Sequence, residues 1–107
     1  MPDDSPLVET LLVMTAASVE ASDLEPRELM LARIAALSAV GAPPASYLLN
    51  ADTAMDVGIT LEDVRGVLIA IAPIAGTART LEAAANITEA LGFAIAIAEA
   101  ELASDDD

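Results

Sequence analysis

Among the uncharged polar side chains of this sequence, Ser46, Tyr47 and Asn50 form a tight group. On one turn of a helix the three could line a pocket, with Tyr and Asn hydrogen-bonding a small polar ligand. The competing reading has Ser46 and Asn50 facing solvent or capping a neighbouring helix, with Tyr47 packed in the core. Arg33 is the second candidate. Asp23 stands four positions from Arg27, and Glu62 and Glu82 stand three positions from Arg65 and Arg79, whereas Arg33 has Leu29, Met30, Ala36 and Leu37 at those offsets. A guanidinium at the edge of an apolar stripe needs a carboxylate within or between subunits, an anionic ligand, or a path to water for its tip. Arg33 or Arg79, working with a carboxylate, could also hold an anionic substrate for acid–base chemistry. Asp52, Asp56, Glu62 and Asp63 do not follow the spacing of a calcium loop, so they read as a solvated acidic face and no metal site is expected.

The inventory around these residues closes off much chemistry. Eighteen carboxylates face four arginines, with no Lys, His, Cys or Trp, for a formal net charge of −14. Thiol nucleophiles, Cys/His zinc sites, histidine bases and Schiff-base lysines are excluded, and no cofactor is expected. Nucleic acid is an unsuitable partner, because phosphates need clustered positive charge and bases need stacking aromatics. Tyr47 and Phe93 are the only aromatics present. A more basic protein partner remains compatible with the charge.

The length is that of one small domain, spanning 1–107. Counting glycine and leaving out tyrosine, 63 residues are apolar, or 59%, against roughly 45–50% in an ordinary domain. A chain this size buries only about 60–70% of its unfolded surface, so the surplus calls for a partner, a lipid or a second copy. The apolar stretches Val67–Ala75 and Leu91–Ala98 are about half the ~20 residues of a spanning helix, so no membrane association is expected. The opening Met-Pro-Asp-Asp is acidic where a secretory signal is basic, which places the protein in the cytoplasm.

Periodicity supplies the elements. A first helix opens at Ser5-Pro6 and sets Leu7, Val8, Leu11, Leu12, Ala16 and Val19 on one face, a candidate subunit contact. A second starts near Glu25-Pro26, carries Leu29, Met30, Ile34, Leu37 and Val40, and ends at Gly41. Pro43-Pro44 starts a third, which ends at Gly58. Thr60 and Asp63 form a capping box for a fourth, stopping between Pro73 and Gly76. A fifth begins near Thr77, with Gly92 as a possible break. Residues 93–98 alternate with period two, but their alanines favour helix over strand. Residues 1–5 and 103–107 read as frayed ends. The expected fold is an all-α, compact bundle of five to six helices, arranged as two hairpins around a shared core.

From Leu24 to about residue 100 the chain resembles the carboxymuconolactone decarboxylase family, which includes the alkyl hydroperoxidase D proteins. The resemblance is carried by Leu24-Glu-Pro-Arg-Glu-Leu29 with Ala35-Ala-Leu37, by Ala54-Met-Asp-Val-Gly-Ile-Thr-Leu-Glu-Asp63, and by Ala75-Gly-Thr-Ala-Arg79. It implies an alkyl hydroperoxidase D-like helical fold and a homo-oligomer, trimer or hexamer. In redox-active members a Cys-x-x-Cys pair and a following His stand where this chain has Pro43, Ser46 and Asn50. Thiol peroxidase chemistry therefore has no nucleophile here. The resemblance leaves two functional expectations. One is the binding of a small apolar or anionic molecule at a subunit-lined pocket, or structural association alone. The other is a non-redox decarboxylase-type lyase or isomerase acting on a small anionic lactone or carboxylic acid.

Overall fold

The computed structural model describes residues 5–105, and side chains at 5–92, 95, 99 and 100. Five helices and no strand occur among the described residues: α1 (Ser5–Ala21), α2 (Pro26–Val40), α3 (Pro44–Asp56), α4 (Leu61–Ala75) and α5 (Thr77–Asp105). None is long and apolar enough to cross a membrane. The expected frayed ends at 1–4 and 106–107 lie outside the described residues. Ser5 and residues 103–105 belong to helices instead.

Local chemistry sets the boundaries. Pro26 and Pro44 occupy first-turn positions, where a missing N–H costs nothing and the fixed φ already suits a helix. Gly41 ends α2 in the left-handed conformation (φ +75°), and the Gly41 N–H returns to the last carbonyls of the helix. Thr60 and Asp63 form the reciprocal box: the Thr60 Oγ1 accepts from the Asp63 N–H at 3.1 Å, and Asp63 accepts the Thr60 N–H at 2.9 Å. α4 stops within the expected window, continuing through Pro73 to Ala75, because a proline in the last turn frees only one carbonyl of a helix that is ending anyway. α5 runs through Gly92 without the possible break, and residues 93–98 are helical as expected, helix propensity there outweighing the period-two pattern.

α2 is the central element, touching α3, α4 and α5, while α5 packs on α3 and α4. Leu29, Met30, Ile34 and Ser38, spaced by one, four and four, form its buried stripe. Ala42, Tyr47 and Ala90 continue the core between α3 and α5, with Leu37 and Ile87 packed against them. Small side chains let the helices approach closely, Ala83 being fully buried. The two-hairpin expectation misses α1, which contributes no buried residue and no extensive packing. Leu7, Val8, Leu11, Leu12, Val13 and Met14 all remain exposed.

Candidate functional site

A half-open cavity of about 280 Å³ lies where α2, α3, α4 and α5 diverge. α2 supplies Ile34 and Leu37, and α3 supplies Tyr47, Asn50, Ala51, Ala54 and Met55. Ile59 and Thr60 come from the α3–α4 turn, Leu61 and Val64 from the first turn of α4, and Ile87, Ala90 and Leu91 from α5. The space has a sequence origin. Ala51 and Ala54 on α3 and Ala90 on α5 line it, and three methyl groups leave open a space that larger side chains would fill.

Of the polar group singled out from the sequence, Tyr47 and Asn50 reach the cavity and Ser46 does not. Tyr47 is buried and donates its hydroxyl proton to the Ser38 Oγ at 3.2 Å, so its ring forms the wall while its polar tip is engaged. Asn50 donates from Nδ2 to the Ser46 carbonyl at 2.9 Å, one turn back, and keeps its Oδ1 as a free acceptor. Ser46 is half-buried, and its backbone N–H bonds the Pro43 carbonyl at 3.0 Å. Pro43, Ser46 and Asn50 thus occupy the N-cap and first two turns of α3, with Pro43 as the N-cap residue.

Neither arginine candidate lines the cavity. Arg33 finds no carboxylate partner among the described residues; it donates to the Thr15 carbonyl of α1 at 3.2 Å. Within one chain, the guanidinium is engaged by a charge-assisted bond to backbone, the acceptor being a carbonyl brought close by α1. Arg79 extends over Gly41, at the C-terminal end of α2, where its charge complements the helix dipole. The helical pairings of Arg65 with Glu62 and Arg79 with Glu82 are absent, and Arg27 pairs with Asp63 rather than Asp23. Asp23 lies in the link before α2, so four residues there do not make a helical turn. Arg27 Nη2 instead reaches Asp63 Oδ1 at 2.6 Å, joining α2 to the start of α4. The Thr60 backbone N–H, then Arg27 and the Thr60 hydroxyl, hold the Asp63 carboxyl below its ordinary pKa.

The electrostatics of the cavity follow from what is missing from its wall. No Asp, Glu or Arg lines it, and its polar atoms come from Tyr47, Asn50 and Thr60. The helix terminus at its edge, that of α4, already has its N-cap N–H bonded to Asp63, so its attraction for an anion is spent internally. Such a wall can desolvate an apolar body and orient one donor toward Asn50, but it offers no side chain to move a proton. No cluster of acidic residues among the described ones is arranged to hold a metal ion.

Sequence reasoning missed Ser38, the partner of Tyr47, and the apolar wall around Ile59, Val64 and Ile87. Ser38 did carry a signal, since it stands four residues after Ile34 on the buried stripe. The cavity wall carried none, because it depends on how far apart the helices diverge. Compared with known proteins, the chain matches no family model, no curated protein and no solved structure.

Proposed function

We propose that this protein binds a small, neutral, largely apolar molecule in the cavity between α2, α3, α4 and α5, as a thiol-free relative of the carboxymuconolactone decarboxylase type. The observation that carries the reading is the wall itself: about 280 Å³ of space with no charged lining residue and one free amide acceptor at Asn50. That volume sits near the lower end of the roughly 300–1,000 Å³ typical of ligand pockets, which suits a compact ligand. The protein acts in the cytoplasm as a homo-oligomer, a trimer or hexamer on the family pattern, which the exposed apolar helix α1 supports. The lyase reading draws no support from the site, since Arg33 and Arg79 both lie away from it and an anionic substrate would meet no cation there.

Titration with N-phenylnaphthylamine, a neutral probe whose emission rises in apolar surroundings, tests the reading directly. Saturable binding that an Ala54→Phe substitution abolishes is the expected result. Indifference of the probe to both Ala54→Phe and Ala90→Phe would remove the cavity from consideration. Incubation with a panel of lactone carboxylic acids should give no decarboxylated product, and turnover would restore the enzymatic reading.

A further inference from the structure

We propose that α1 of one copy of this chain seats on the open mouth of the cavity in a second copy, so that the ligand site is completed between subunits. The inference rests on the cavity being a ligand site, as proposed above. α1 is apolar over most of its circumference: Thr10–Val19 carries no charged residue, and no residue of the helix is buried. A helix of that kind is covered in the functional state of a protein. Its own chain does not cover it. The bond from Arg33 to the Thr15 carbonyl ties the middle of α1 to α2, and no α1 residue lines the cavity of the same chain.

The cavity supplies the complementary shape. Its mouth exposes Met55 (65%) and Leu61 (64%), apolar side chains at the edge of a concave apolar surface. An apolar helix laid into an apolar groove is a recurrent mode of recognition between helical elements. Apolar matching selects the occupant. The Thr10–Val19 span of α1 and the cavity wall both lack charged residues, so two chains of −14 can meet through those surfaces although Asp56 and Glu62 stand beside the mouth. An anionic membrane would repel the chain.

Area sets the scale. The chain exposes 7638 Å². A folded monomer of 10.9 kDa exposes about 5,600 Å², so roughly 2,000 Å² is in excess. A standard interface buries about 800 Å² per partner, so the excess is enough for two contacts per chain. A subunit that gives α1 to one neighbour and receives α1 from another needs two such contacts, and this head-to-tail arrangement gives a ring when the rotation between neighbours closes.

The absence of cysteine makes the test clean. Chains carrying Leu12→Cys and Leu61→Cys are mixed and treated with a short bismaleimide under native conditions. The expected product is the mixed dimer, in excess over either symmetric dimer. Leu12→Glu should dissociate the assembly in light scattering and weaken N-phenylnaphthylamine binding about tenfold or more, with the helical circular dichroism unchanged. Symmetric Leu12→Cys dimers alone would overturn the proposal by showing α1 paired with α1. A wild-type monomer would overturn it too, and collection of that monomer on phosphatidylcholine vesicles would assign α1 to a lipid surface. Mixed cross-linking without any probe binding would uphold the docking of α1 and remove the ligand reading alone.

Discussion

The hydroxyl of Tyr47 and that of Ser38 form a buried pair, each the other's partner in an otherwise apolar core. Tyr47→Phe should cost about 1 kcal/mol in chemical denaturation, and Ser38→Ala about 1–3 kcal/mol because it strands the phenol. The double variant should lose less than the sum, since no polar group is then left unpaired. Additive losses would mean that the two hydroxyls do not depend on each other. Gly41 presents a different residue-scale constraint. It holds φ +75°, and a methyl group there would collide with the Arg79 guanidinium. Gly41→Ala should destabilise by the ~1 kcal/mol of the backbone term, since the Arg79 guanidinium sits at the end of a flexible side chain that can swing aside, and Arg79→Ala should change that loss little. At position 46, Ser46→Cys places a thiol in the first turn of α3, where the helix N-terminus lowers its pKa. Its alkylation by iodoacetamide should titrate below the ordinary thiol range, and an unshifted profile would show that the helix terminus is screened. The unsubstituted chain should show no hydroperoxide turnover above background.

At the scale of elements, α4 is anchored by its own capping box and by Arg27 of α2. Thr60→Ala should cost about 0.5–2 kcal/mol of stability, read as a lower denaturation midpoint at unchanged m-value. The carboxyl of Asp63 adds a pH dependence of known sign. Its folded-state pKa is lowered, so its contribution is complete above the unfolded value and is lost as pH falls through the folded value. Melting of Asp63→Asn and wild type should differ at pH 7 and converge in strong acid. A gap that persists at low pH would place the effect of the substitution outside the ion pair. These elements were legible in the sequence to different depths. Thr60-x-x-Asp63, Pro26, Pro44 and Gly41 act through bonds within a few residues, so local sequence specifies them. Arg27 was paired with the wrong acid and Arg33 was left without a partner, because Asp63 and the Thr15 carbonyl become their neighbours only when helices pack. Tyr47 and Asn50 were found as polar exceptions on an apolar helix, whereas Ile59 and Ile87 resemble any core residue until the cavity between them exists.

For the whole molecule, the radius of gyration of 15.4 Å exceeds the ~13 Å of a compact domain of this length. The uncovered α1 and the 29-residue α5 account for that breadth. Light scattering should report a closed assembly of identical chains that persists or tightens as salt is raised, because salt screens repulsion between acidic chains and leaves apolar contact intact. Dissociation on adding salt would show that ion pairs hold the subunits. One further property follows from the placement of Tyr47. It is the chain's single tyrosine, there is no tryptophan, and its ring forms part of the cavity wall. The protein therefore carries one intrinsic fluorophore of useful strength, located in the cavity wall. Tyrosine emission and absorbance near 280 nm will report the packing and occupancy of that wall in every subunit, with no background from elsewhere in the chain.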